Sequence, residues 1–130
     1  MGIIWTETKP EIALLLKIFT GWYFAFGVGA FFPATNEPFF TRSPKTWDIL
    51  HCYMLNFAGL YTLQCTIWTL TSAYYYPSRV SAMSMAAQLL LVVGIVTWIQ
   101  ITGNLFSPLG LAAFSIDACF GLLFAYFAIA

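Results

Sequence analysis

Apolar residues in this chain come in four long blocks, and the polar punctuation falls mostly between them. The first, EIALLLKIFTGWYFAFGVGAFF, carries a span at about 12–32, and the second, WDILHCYMLNFAGLYTLQCTIWTLTSAYYY, one at about 47–76. The third, SAMSMAAQLLLVVGIVTWIQITG, covers about 81–103, and the fourth runs from about 108 to 130. A helix needs about 20 predominantly apolar residues to cross hydrocarbon, and each block reaches that length. Stretches such as GWYFAFGVGAFF put rings on all sides of the helix, the pattern of a helix facing lipid or protein throughout. Pro10 and Glu11 suit the first turn of the first helix, and Pro33 with the loop PATNEPFFTRSPKT ends it. PSR and NLFSP join the later blocks. Connections this short make neighbouring helices antiparallel, so the expected fold is an all-α integral membrane protein, an up-down bundle of four transmembrane helices in a single domain.

Both termini then share one side with the Arg79 turn, and the Arg42/Lys45 loop lies on the other. Lys9, Lys17 and Arg79 against Arg42 and Lys45 is too small a bias to orient the chain. Trp47 at one end of the second block and Tyr74, Tyr75 and Tyr76 at the other match interfacial aromatic belts.

Composition sharpens this picture. Hydrophobic residues make up 61% of the 130 and charged ones 8%, with a mean hydropathy of +0.82. A soluble domain carries about a quarter charged residues, so these few charges cannot cover a water-facing surface. Five Lys+Arg balance five Asp+Glu, which leaves no basic face for nucleic acid and no polybasic lipid-binding cluster. Cys52, Cys65 and Cys119 are odd in number and form no CxxC, so neither a disulfide framework nor a thiol redox pair is expected. The start, MGIIWTETKPE, lacks the basic region of a signal peptide and the Arg/Ser-rich character of a transit segment. Gly21, Gly27, Gly29, Ala58, Gly59, Ala86, Ala87 and Gly94 punctuate the spans as residues that let helices approach closely.

Polar groups at membrane depth are expensive unless paired, which makes each one a candidate site. At about 1.5 Å per residue, Asp117 lies about 13 Å below the loop-42 side, and Asn56 falls at nearly the same level. His51 is about 6 Å from that surface, with Gln100 and Asn104 near it. Lys17, Gln64 and Gln88 share a level roughly 7–10 Å in from the termini. Asp117, hydrogen-bonded to Asn56 or to a backbone carbonyl, would join two helices; a proton relay or a ligand site is the sharper alternative. Lys17 is too far from Asp117 to pair with it and is expected to snorkel to the interface. His51 is the only histidine, which rules out bis-histidine haem ligation within one chain; a single His, Asn or Gln can still ligate one chlorophyll magnesium. No Ser-His-Asp arrangement, phosphate loop or HExxH occurs, so no catalytic or metal residues are assigned. The candidate cofactor-binding residues are His51, Asn56, Gln64, Gln100 and Asp117, and the groups they suit are chlorophyll, carotenoid or lipid.

The second and third spans, including FAGLYTLQCTIWTLTSAYYY, resemble small four-helix membrane proteins of the DoxX-like or Erg28-like kind, which share a Gly-aromatic second helix. That resemblance implies the four-helix fold and carries no functional residue across. The ExxxxR helix signature of light-harvesting proteins is absent from the spans, where no Glu has an Arg five residues on. A chain that is nearly all span, without a catalytic constellation, is expected to be a small non-catalytic subunit of a larger photosynthetic or respiratory complex. Its partners would be other membrane subunits, lipids and pigments, and an organellar membrane, thylakoid or mitochondrial inner, is favoured. The alternative is a stand-alone membrane enzyme or carrier for a hydrophobic small molecule, using Asp117, Asn56 and His51.

Overall fold

Local capping chemistry sets the helix boundaries in the computed structural model, which describes residues 2–130. Helix α1 (Pro10–Gly29) opens with proline in its first turn, where the missing N–H has no intrahelical partner to lose. Helix α2 (Ile49–Tyr75) starts at Asp48, whose carboxylate accepts the His51 N–H. Helix α3 (Arg79–Gly103) is capped by the Ser78 hydroxyl, and helix α4 (Pro108–Ile129) by that of Ser107. Asn104 ends α3 in the left-handed region at φ 46°, a conformation that asparagine tolerates well. Between α1 and α2 the chain forms short helical turns at Pro33–Asn36, Glu37–Phe39 and Pro44–Thr46.

Three of these helices, α1, α3 and α4, are long and apolar enough to cross a membrane, which is compatible with a multi-pass membrane protein. The expectation of four such spans is not met by α2. At 27 residues it is long enough, but His51, Asn56, Gln64 and four threonines lower its hydropathy. Its threonine hydroxyls are nonetheless satisfied along the helix itself. Thr62, Thr66 and Thr71 donate to the carbonyls of Ala58, Thr62 and Ile67 at 2.7–2.9 Å.

The packing pairs α1 with α2 and α3 with α4, and α1 also meets α4. Ile12, Leu15, Leu16, Phe19, Tyr23 and Gly27 recur three or four apart and form the buried face of α1. Phe19 sits at the centre, its ring 5.1 Å from Phe120 and 5.7 Å from Phe124, with Met85 and Leu89 also fully buried around it. Helices α1 and α2 touch through glycine: a Cβ at Gly59 would stand 2.7 Å from that of Ala30 and 3.0 Å from the Gly27 carbonyl oxygen. Gly21 and Gly94 do not share this role. Nothing lies within 4 Å of a Cβ built on either, because both point away from the bundle.

Each end of the bundle is tied by backbone pairing. At one end Thr8 bridges Ser78, and Arg79 and Val80 donate their N–H groups to the Glu7 and Trp5 carbonyls. The Arg79 side chain extends the tie. It donates to a Glu7 carboxylate oxygen at 2.8 Å and to the Ala128 and Ala130 carbonyls at 2.9 and 3.3 Å. The N-terminal segment, the α2–α3 turn and the end of α4 therefore meet in one place. At the other end Phe40 bridges Phe106, and Thr41 and Ser107 donate to the Leu105 and Phe39 carbonyls. Gly110 makes this junction possible, since a Cβ there would fall onto the Phe39 carbonyl oxygen.

Candidate functional site

Towards the Phe40–Phe106 end the helices part around a cavity of about 290 Å³. Helix α4 presents Gly110, Ala113, Phe114 and Asp117 to it, spaced three or four apart on one face. From α1 come Tyr23, Phe26 and the following Ala30; from α2, Leu55, Ala58, Gly59, Tyr61 and Thr62; from α3, Val92 and Val96. Phe39, Phe40 and Phe106, held by the bridged loop, close the end. The walls are therefore mostly aromatic and aliphatic, and the polar groups are the Asp117 carboxyl, the Tyr23, Tyr61 and Thr62 hydroxyls and the Asn36 amide, which itself donates to the Gly29 and Phe32 carbonyls.

Asp117 is buried, and one of its oxygens is fixed. The Trp22 indole N–H donates to Oδ1 at 2.7 Å, joining α1 to α4 in the middle of the bundle. Among the described residues no other side chain hydrogen-bonds to Asp117, and no Lys, Arg or His lines the cavity. The expected Asn56 partner is absent because Asn56, although at a similar level, is turned outward and exposed. Counting residues gives depth along a helix but not the direction a side chain points.

A second hollow, of about 690 Å³, adjoins the first and shares Phe40, Leu55, Ala58, Phe106 and Phe114 with it. Its rim carries Arg42, Asp48, Trp47 and His51. His51 packs near the Trp47 ring, at 6.3 Å between centroids, and its Nδ1 lies 2.6 Å from Asp48 Oδ1. Asp48 accepts the His51 backbone N–H foremost, and this bond holds its carboxyl below the usual carboxylate range. The two hollows together make one cleft with a polar rim and an apolar interior that ends on a carboxyl group.

The structure thus brings His51 and Asp117 to the two parts of one cleft and leaves the other candidates outside it. Gln64 is exposed on α2. Gln100 fastens the α3–α4 connection, donating to Asn104 Oδ1 and accepting the Phe106 N–H, both at 2.9 Å. Gln88, at the level counted for Gln64, donates to Cys65 Sγ at 2.9 Å between α3 and α2. Lys17 reaches back towards the terminal end, with Nζ 4.7 Å from the Tyr74 ring centroid. Among the described residues no group of three or more His, Cys, Asp or Glu could hold a metal ion.

Sequence reasoning missed Trp22, Tyr23 and Arg79. A signal for Trp22 was present: seven residues before Gly29 put it about 10 Å from the loop end, close to the level of Asp117, and an indole N–H is an obligate donor. No protein-family model, curated protein or solved structure matches the chain.

Proposed function

We propose that this chain is a four-span membrane protein whose bundle holds a hydrophobic small molecule or lipid chain in the cleft that ends at Trp22–Asp117. The observation that carries the reading is an apolar cavity walled by all four helices, with a buried carboxyl group at its inner end. Ligand sites are mostly apolar concavities of roughly 300–1,000 Å³ with a few polar groups that fix orientation, and the cleft fits that description. Helix α2 supplies the fourth span in this reading. Its 27 residues reach about 40 Å, it has no charged side chain, and its threonines are bonded within the helix, which reduces the cost of placing them in lipid.

The test is to purify the protein from membranes in lipid nanodiscs and identify co-purifying molecules by native mass spectrometry. Ala58→Trp should displace them. Ala58 is exposed and borders both hollows, so a larger side chain there blocks the cleft without overpacking the core. Undiminished co-purification with Ala58→Trp would sink the reading.

A second reading, a small non-catalytic subunit of a photosynthetic or respiratory complex, draws support from the outer faces. Gly21 and Gly94 lie open there, with nothing within 4 Å, and small residues are where neighbouring transmembrane helices approach. Migration as a free 14.6 kDa species on a mild-detergent native gel would remove this reading and leave the first intact.

A further inference from the structure

We propose that the occupant of the cleft is an amphipathic amine, with its cationic head seated on Asp117 and its hydrocarbon running out between α2 and α3. This rests on the reading of the cleft as a ligand site and adds the chemistry of the ligand. Trp22 occupies Asp117 Oδ1. The second carboxyl oxygen has no hydrogen-bonding partner among the described residues, although Asp117 lines the cavity.

A carboxylate in hydrocarbon is costly unless it takes up a proton or meets a countercharge. No Lys, Arg or His lines the cavity to supply one. The two cations within the four helices are committed towards the opposite end, Lys17 to the Tyr74 ring and Arg79 to Glu7 and the carbonyls that end α4. An ionised Asp117 would therefore take its countercharge from the ligand. Seven of the lining side chains are aromatic, among them Tyr23, Tyr61 and Phe114, and ring faces attract an ammonium, most strongly where water is excluded. A fatty acid would set a second carboxylate against Asp117. An alcohol would gain a hydrogen bond but leave the aromatic lining without a charge to stabilise. The rim holds both signs, Arg42 and Asp48, so selection falls to the inner end. Trp22 engages only Oδ1, which leaves the other oxygen to the ligand.

The experiment uses the full chain in nanodiscs and two photoactivatable probes: a diazirine-bearing dodecylamine and the same molecule with a hydroxyl in place of the amine. Labelled peptides are mapped by mass spectrometry. The amine probe should label cleft residues saturably, and unlabelled dodecylamine should displace it where dodecanol does not. Asp117→Asn should cut amine labelling by about tenfold or more while leaving labelling by the alcohol unchanged. Trp22→Phe keeps the carboxyl and should retain most of the amine labelling. If it loses as much as Asp117→Asn, the effect belongs to helix packing and the amine assignment falls. Equal labelling by the two probes, or amine labelling that survives Asp117→Asn, also overturns the amine while leaving the cleft as a ligand site. Labelling confined to residues outside the cleft overturns both.

Discussion

Arg79 shows how much one side chain can organise when its surroundings are apolar. It stands at the first position of α3, where the helix dipole disfavours a cation, yet its guanidinium reaches the C-terminal carbonyls of α4, where the dipole favours one. Its side chain is 10% exposed and that of Glu7 is 46% exposed, so the ion pair itself is partly screened and the carbonyl bonds matter at least as much. Arg79→Met should therefore cost about 2 kcal/mol, since it leaves buried acceptors unpaired. Arg79→Lys should recover only part of this, because a single ammonium cannot fork between Glu7 and two carbonyls. Denaturation in mixed micelles measures both; equal stability of the Met variant and the parent would refute this account.

Capping decides where the helices begin, and α2 makes the point most directly. Its 27 residues contain little that would choose a starting point among Trp47, Asp48 and Ile49. Asp48 chooses, by accepting the His51 N–H at 2.9 Å. The bonds that hold its carboxyl below the ordinary range form only in the folded helix. Their contribution is present above the unfolded carboxylate pKa and is lost as pH falls through the lower folded value. Protection of amides in the first turn of α2, measured relative to intrinsic exchange at the same pH, should accordingly fall once the pH drops below the ordinary carboxylate range. Asp48→Asn, which caps without a charge, should remove that pH dependence while keeping the protection at neutral pH. Hydrogen exchange resolved at residues 49–53 tests this. A first turn protected equally at both pH values in the parent would show that the cap does not hold it.

At the scale of the whole molecule, the two backbone ties and the paired packing explain why a cleft exists at all. Helices α1 with α2 and α3 with α4 form two tight pairs, joined through α1 and α4 on the other side. The α2–α3 turn holds those helices together at the terminal end, where Gln88 meets Cys65. Beyond that the lining of the cleft takes over. With α2 as a fourth span, residues 2–8 and the Pro77–Arg79 turn face one compartment and residues 36–44 the other. Single cysteines introduced at Thr41 and Tyr76, exposed positions on either side of α2, in a background without native cysteines, should react with a membrane-impermeant maleimide from opposite sides. Labelling of both from one side would mean that α2 does not cross.

Block length and proline placement were enough to mark the four helices, because span length and helix termination are local properties. The expected boundaries fall within a few residues of α1, α3 and α4, and composition alone carried the membrane character. The standing of α2 was harder to read, since its threonines count against it on a hydropathy scale that ignores where their hydroxyls bond. Asp117 was legible as an exceptional residue, and His51 as a polar group near the rim. Their surroundings were not. Whether Asp117 meets Asn56 or Trp22 depends on the rotation of α1, α2 and α4 about their own axes. Helices apolar all round carry no stripe from which to infer that rotation. Packing settled it, through the glycine contact of α1 with α2 and the Phe19 cluster between α1 and α4. The chain's own residues dictate what each helix is made of, and only their mutual fit decides which side of it faces the cleft.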